Sequence, residues 1–541
     1  MDEISLYLYS AQTTYDEITQ RPAPESRWRE NIAAKIAARK AELEVLTGHI
    51  LNVSNGVKGK TPPLVRTLLR RERAAKWDLN DLRRIRAERE ELILVYQKKL
   101  STHESRYQRR RENNLFEFNR RLFYRRLHGE TKEGTQQKAE MLDTWGSMWK
   151  ARPRKGVSFP FCGPDAPLMI ESCGVSDIRK KFDEAVTRLS DWKTPGVDKV
   201  YNFFIKNCKP IHDCMCRAIE QFTVDPGSIP EWLCTGVTYL IPKVDNPSAP
   251  TDYRPITSMP NLYKLMTKVV ATEVRNFVEV NGILSENQLG ARSDCQGAKE
   301  QALINECLAR AHGNSLVSMW VDVKKANDSV DHAYLVECLR RLKLPMWFIK
   351  FVATVMDRWN VHLHYNKCEV KLERGILQGD SMSPLLFVLC LEPLSRVLTA
   401  QFEQMSIEHE GGCFSTNHLM FIDDIKLFAR SSEILHSMGK VLKGFMKAVG
   451  LELNYNKSAT NTPVCGDLVK VWEEHQGYKY LGVVESPASL ITPETRKCVV
   501  EGVRSRAAML CKTRLNARNL FCRERSEPPS ATSDQSMSIN V

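Results

Sequence analysis

The chain has 541 residues, enough for several domains with cores of their own, and its 42% hydrophobic and 26% charged content is that of a globular protein. A formal net charge of +13 calls for a polyanionic partner, nucleic acid or a membrane surface. No apolar run is expected to span a bilayer, and Met1-Asp-Glu-Ile-Ser-Leu6 lacks the basic-then-apolar order of a secretory signal, which argues against secretion. Sixteen cysteines are scattered without Cys-x-x-Cys or paired Cys/His spacing, which speaks against a zinc finger and for reduced thiols in a nuclear or cytoplasmic protein.

Residues 28–50 predict a helix with Ile32, Ile36, Leu43 and Leu46 on one face and Gly48 near its end. Thr61-Pro-Pro-Leu64 opens a longer helical stretch to about Arg111, in which Arg and Lys outnumber acids roughly two to one. Together they predict an antiparallel helical hairpin, although such a run also serves as a solvated face laced with i,i+4 pairs. Residues 114–126 then interleave Phe116, Phe118, Phe123 and Tyr124 with Arg120, Arg121, Arg125 and Arg126. Aromatic rings stack on bases while arginines neutralise phosphates, so these four arginines are expected to contact RNA or single strands.

Residues 130–170 are rich in loop signals, and helical periodicity returns at Ile178–Leu189 and again at 211–224. Between them lies Trp192-Lys-Thr-Pro-Gly-Val-Asp198, a Pro-Gly turn whose Asp198 is expected to cap the next helix. Val237–Ile241 reads as a strand that delivers Lys243 to a loop, and Arg254 follows in Thr251-Asp-Tyr-Arg-Pro-Ile256. Two cations so placed suit a triphosphate, and equally suit an ordinary surface. Ser315–Val323 is a second apolar strand carrying Asp322 at its end, and Asp328-Ser-Val-Asp-His332 has the look of a helix cap. In Arg374-Gly-Ile-Leu-Gln-Gly-Asp-Ser-Met-Ser-Pro-Leu385 two glycines permit close backbone approach, and Gln378, Ser381 and Ser383 offer neutral hydrogen bonds ahead of an apolar helix.

The chain is organised around His418-Leu-Met-Phe-Ile-Asp-Asp-Ile-Lys-Leu-Phe-Ala-Arg430, which reads as two short strands with Asp423-Asp424 at the bend. Adjacent carboxylates repel and raise each other's pKa. Hard oxygen ligands suit Mg²⁺, and two such ions about 4 Å apart can drive phosphoryl transfer. An ordinary solvated turn is the plainer explanation of the pair taken alone. Further on, Leu451–Ser458 alternates into a turn bearing Lys457, residues 477–483 form a short strand or hairpin, and 493–520 are helical and basic. The polar segment after 520 is expected to be disordered.

Taken in order, these pieces resemble the reverse transcriptase of non-LTR (LINE-type) retrotransposons over roughly residues 190–485. Trp192–Asp198 is similar to the Lys-x-Pro-Gly-x-Asp lead-in, Leu240–Lys243 and Tyr253–Ile256 to two fingers motifs, and Asn287-Gln-Leu-Gly-Ala-Arg292 to Gln-x-Gly-x-Arg. Asp322–Asp328, Gly375–Pro384 and Phe421–Asp424 resemble the palm motifs, and Lys457 and Tyr480-Leu-Gly482 the last two. The resemblance implies an α+β right-hand polymerase with an antiparallel palm sheet, helical fingers, a partial helical thumb and a helical basic N-terminal extension. The implied divisions are 1–129 for the extension, 130–190 for a linker and fingers lead-in, 191–320 for fingers, 321–484 for the palm, 485–520 for a partial thumb and 521–541 for the tail.

Position by position, the resemblance implies that Asp322 and Asp423 hold two Mg²⁺ ions, with Mn²⁺ able to substitute, and that Asp424 completes the acidic cluster. Lys243 and Arg254 would hold a deoxynucleoside triphosphate, Gln378 and Gly379 would lie against the nascent pair and template, and Lys457 would protonate pyrophosphate. Arg292 joins the expected nucleic-acid contacts. Asn327 stands where the family has Phe or Tyr against the ribose 2′-hydroxyl, which predicts weaker rejection of ribonucleotides or lower activity. Phe421 replaces the usual Tyr or Ala and Ala291 stands where an aromatic is common. No nuclease signature flanks the palm, and the thumb-like region is thin, as in a fragment, a truncated element copy or a host gene derived from one. The expected function is RNA-directed DNA synthesis on template RNA from a DNA primer. The alternatives are an RNA-binding protein that keeps the fold without polymerising, and a reverse transcriptase of another lineage such as an intron maturase.

Overall fold

The computed structural model describes residues 1–19, 27–57, 59–71, 78–118, 120–127, 139–150, 175–244, 247, 249–293, 295–363, 369–409, 412–472, 477–488 and 490–520. These divide into two units, one built from Met1–Ile18 and Thr135–Glu501, the other from Thr19–Gly134 and Gly502–Pro528.

In the second unit the helices Arg27–Ser54 and Leu79–Phe118 form the antiparallel hairpin that the apolar periodicity predicts. Trp28, at the start of the first, stacks on His103 with ring centroids 4.6 Å apart. At the other end Leu46 and Ile50 share a small core with Leu82 and Ile85, closed by Val65 and Leu69 of the helix Pro63–Arg71. The helix Arg120–Leu127 follows, with Phe123 packed edge-on against Phe116 at 5.3 Å. The expected polar tail, 521–541, lies outside the described residues, as does most of the loop-rich segment 130–170.

The first unit is α+β. Its strands run β1 Thr235–Pro242, β2 Tyr253–Ser258, β3 Val317–Val321, β4 Val323–Lys324, β5 Asn360–Leu363, β6 Glu369–Lys371, β7 Met405–His409 and β8 Gly412–Thr416. They continue as β9 His418–Phe421, β10 Asp424–Ala429, β11 Glu452–Leu453, β12 Ala459–Thr460, β13 Lys470–Val471, β14 Tyr478–Tyr480 and β15 Val483–Glu485. The five-stranded sheet has the order β13-β12-β3-β10-β9. Its pairs are antiparallel except β12 with β13, so the wholly antiparallel sheet expected from the resemblance is corrected at that edge. A second sheet, β2-β1-β5-β6, carries one parallel pair, β1 with β5.

Behind the sheet runs the helix Ser383–Gln401, from Leu385 to Leu394 buried on every face. By length and apolar composition alone it could cross a bilayer, contrary to the expectation that no run is long enough, but its burial within the unit makes it a core helix. A helix that is apolar all round has no polar face to offer water, so the chain wraps it with the helices His332–Arg341 and Ser432–Ala448. The first helix, Asp2–Thr19, packs into this same unit through Leu8, and Gln12 donates to the Lys199 carbonyl at 3.2 Å.

Two local expectations are resolved by hydrogen bonding. Asp331 caps the helix His332–Arg341, accepting the Tyr334 N–H at 2.8 Å. Asp198 does not cap the helix Asn202–Asn207, which lacks a side-chain cap; its carboxylate turns back to the Val200 N–H at 3.4 Å, and burial pushes its pKa up to about 6. The chain needs two more residues to reach the helix start, too far for a capping side chain.

Candidate active site

Val321 of β3 lies opposite Ile425 of β10. Continuing that register by one residue sets Asp322 opposite Asp424, with Cα atoms about 5 Å apart as in any antiparallel pair. β9 and β10 close between Phe421 and Asp424, so Ile422 and Asp423 are the two central residues of the hairpin turn. The sequence pattern placed Asp423 and Asp424 together at the bend; the bend falls one residue earlier, and Asp424 is the first residue of the strand.

Ile422 occupies the left-handed region at φ 59, an unfavourable conformation for a β-branched residue. The neighbouring segment holds it there. Met420 donates to the Asn287 carbonyl at 2.8 Å and Leu289 donates to the Met420 carbonyl at 2.9 Å, which joins Gln288 to β9 by an isolated parallel bridge. From within that segment the buried Gln288 side-chain oxygen accepts the Ile422 N–H at 3.0 Å and the Gly290 N–H at 2.9 Å. A methyl on Gly290 would sit 2.6 Å from the Ile422 nitrogen, so the close approach requires glycine.

Asp322 and Asp423 both line a cleft of about 1760 Å³. Asn454 donates to Asp322 Oδ2 at 2.7 Å, and the Asp322 N–H reaches the Ser458 hydroxyl at 3.0 Å, which fixes the end of β3. Asp424 does not line the cleft; its charge acts on Tyr478 and Tyr480 of the β14–β15 hairpin instead. The same cleft is lined by Arg254 of β2, by Lys243 just beyond the end of β1, and by Lys325 and Lys457. Gln378, Asn327 and Asp328 also line the cleft, with Gln378 donating to Asp328 Oδ2 at 2.9 Å.

The electrostatics are strained in both directions. Burial pushes Asp424 up to about 7, reinforced by the charges of Asp423 and Asp322, and it raises Asp423 as well, where Asp322 adds to the effect and Arg254 opposes it. Burial also lifts Asp328 to about 7 despite its hydrogen bonds. On the cationic side burial lowers Lys243, and the charges of Arg254, Lys457 and Lys325 lower it further. Like charges crowded in one cleft are stabilised by a ligand that brings a cation to the acids and a polyanion to the bases.

The donor set fits a divalent cation. Asp322 and Asp423 give hard oxygens in one cleft, and no Lys or Arg is ion-paired with them among the described residues. No three His, Cys, Asp or Glu side chains among the described residues form a cage of their own. Mg²⁺ is commonly held in this open way, by one or two carboxylates with substrate phosphates and water supplying the rest.

Of the remaining expected contacts, Gly379 has φ 114 and its absent side chain would meet the Thr257 carbonyl at 2.8 Å, so the loop lies flat against β2. Arg292 is turned to the Ser285 carbonyl at 3.3 Å and lies outside the cleft. Arg120 covers the Phe116 ring at 4.9 Å and Arg126 is exposed, while the side chains of Arg121 and Arg125 lie outside the described residues. Lys325, Gln288 and Asn454 were not singled out from the sequence. Gln288 and Asn454 sit within two motifs that the sequence does mark, and Lys325 lies three residues after Asp322, so proximity to a marked residue was the available signal.

Residues 241–484, which hold both carboxylates and the four cations of this cleft, match the family model of reverse transcriptase (RNA-dependent DNA polymerase). That segment resembles the reverse transcriptase domain of non-LTR retrotransposons, a family that uses divalent metal ions. The chain is similar to the Pol polyprotein of type-2 retrotransposable element R2DM of Drosophila melanogaster, 27% identical over 284 residues, 51% of this chain and 26% of that protein. It is also similar to the Pol polyprotein of type-1 retrotransposable element R2 of Nasonia vitripennis, 26% identical over 46% of this chain and 24% of that one. The RNA-directed DNA polymerase of the mobile element jockey of Drosophila melanogaster is 22% identical over 55% of this chain and 34% of its own length. The chain thus spans about a quarter of the length of the first two relatives. Among solved structures, apo telomerase of Candida tropicalis truncated from its C-terminal domain is similar with a TM-score of 0.36, at 14% identity over 49% of this chain and 55% of that one.

Proposed function

We propose that this chain is an RNA-directed DNA polymerase, extending a DNA primer on template RNA with deoxynucleoside triphosphates. The observation that carries the reading is the meeting of Asp322 and Asp423 in one cleft that Lys243, Arg254, Lys325 and Lys457 also line. In this reading residues 321–484 are the palm, 191–320 the fingers and 485–520 a partial thumb. Two Mg²⁺ ions bound at Asp322 and Asp423 would lower the pKa of the primer 3′-hydroxyl and neutralise the departing pyrophosphate. Asn454 and Ser458 keep Asp322 oriented, and the Gln288-held turn does the same for Asp423. Lys243 and Arg254 bind the triphosphate and hold it in line, which is most of what a loose phosphoryl-transfer transition state requires. Gln378, braced by Asp328, and the flat loop at Gly379 lie against the nascent pair and template. Lys457 gives its proton to the pyrophosphate. The exposed arginines Arg120 and Arg126 of the helical unit hold RNA phosphates.

Primer extension on poly(rA)/oligo(dT) with Mg²⁺ or Mn²⁺ tests this, with Asp423→Asn as control. Incorporation lost in the variant supports the polymerase. RNA binding without incorporation in the unsubstituted chain supports the one rival that a residue in the cleft favours, a non-polymerising RNA-binding protein in which Asn327 marks the departure.

A further inference from the structure

Two residues along β10 from Asp424, on the same face of the strand, Lys426 is completely buried, as is its partner Glu485 at the end of β15. The Lys426 ammonium donates to Glu485 Oε2 at 2.6 Å and also to the Asn305 side-chain oxygen. Asn305 returns a hydrogen bond to Glu485 Oε1 at 3.0 Å, and Trp320 Nε1 donates to Glu485 Oε2 at 2.7 Å. The ammonium also lies 4.4 Å from the Trp320 ring centroid. One closed network therefore ties together β3, β10, the helix Ala298–His312 and the β14–β15 hairpin.

An ion pair this deep is a poor stabiliser. The desolvation of both charges offsets most of their attraction, and an apolar or neutral pair of similar volume often serves stability equally well. What such a pair does provide is a unique arrangement, since each charge tolerates no other partner in that environment. The arrangement fixed here matters to the cleft. The hairpin bears Tyr478, whose hydroxyl donates to the Lys457 carbonyl at 2.6 Å, and Tyr480, whose hydroxyl accepts from Gln301 at 2.5 Å. The hairpin thereby holds the loop that carries both Asn454 and Lys457, while β10 carries Asp424 and follows Asp423.

We propose that Lys426 and Glu485 are positioning residues for nucleotide transfer: their buried network sets the distance between the acidic turn and the hairpin that holds the Lys457 loop. This rests on the polymerase reading, and its test separates the two. The variant is Lys426→Met/Glu485→Gln, a neutral pair of similar volume in which the introduced amide oxygen accepts from Trp320 and its nitrogen donates to the Asn305 oxygen once the Asn305 amide turns over. It folds, with a thermal midpoint within a few degrees of the unsubstituted chain. Its kcat for primer extension falls by about tenfold to a hundredfold, the scale of a misplaced reacting group, while KM for the deoxynucleotide changes less than about twofold. Amide hydrogen exchange in 454–458 and 478–485 accelerates in the variant while exchange in the helix Ser383–Gln401 stays as it was. Full kcat in a folded variant overturns the positioning role. If the unsubstituted chain incorporates nothing, the polymerase reading fails, and the exchange comparison still decides the lock: unchanged exchange at 454–458 and 478–485 overturns it.

Discussion

Gln288 accepts the backbone N–H of Ile422 at 3.0 Å, and through that one bond a segment more than a hundred residues earlier in the chain determines where Asp423 sits. Because the same oxygen also accepts from Gly290, Gln288→Leu leaves two backbone donors without their partner and releases a strained turn. The expected loss of stability is about 1–3 kcal/mol, and incorporation falls further than that loss explains. Thermal unfolding and single-turnover incorporation, measured on the same preparation, check both parts.

Asp424 titrates at about 7 in the folded chain against 3.8 for the free group, so the folded state binds its proton more tightly than the unfolded state does. The sign follows directly: this residue lowers stability progressively as pH rises from about 4 to about 7, and the full penalty is present above that range. Asp424→Asn removes the penalty. In EDTA the variant's advantage in urea unfolding grows by about 2 kcal/mol between pH 5 and pH 8. A difference independent of pH contradicts the assignment.

Lys243 stands among other cations and is itself partly desolvated, so its charge does not stabilise the empty cleft. Lys243→Ala therefore leaves the unfolding midpoint unchanged or slightly raised. It raises KM for the deoxynucleotide by about tenfold or more, the scale of one hydrogen bond to a charged group. A stability loss with unaltered KM places Lys243 outside the nucleotide contact.

Asn327 lines the cleft and its carbonyl accepts the Ile376 N–H at 2.6 Å, which ties the Gly375–Pro384 loop to the residue expected beside the sugar. In the polymerase reading, a side chain smaller than phenylalanine would leave room there for a 2′-hydroxyl. Asn327→Phe is expected to raise the preference for deoxy- over ribonucleotides by about tenfold or more, as a steric clash does in a closed pocket. Equal rejection of ribonucleotides by both proteins removes Asn327 from sugar selection.

Much of this architecture is legible in residue order. The apolar periodicity of 28–50 and of the long basic helix gives the hairpin, and β-branched and aromatic content gives β1, β3 and β9–β10. Less legible are features that depend on tertiary partners. The turn shifts to Ile422 because Gln288 supplies an acceptor that no local pattern reveals. Arg292, marked through its motif as an expected nucleic-acid contact, has a carbonyl partner, Ser285, that the motif does not reveal. The buried partner of Lys426 has no local signal, since only the fold brings Glu485 to it from 59 residues away. The parallel β12–β13 edge is equally silent in sequence, since strands of two residues carry no periodicity.

The central claim is that the carboxylates at 322 and 423 act as one unit on the same cations. Single-nucleotide incorporation by Asp322→Asn, Asp423→Asn and the double variant measures this directly. The account predicts that each single substitution abolishes nearly all incorporation and that the double is no worse than either, as for groups acting together. It is contradicted if either single variant keeps most of the activity, or if the two losses multiply.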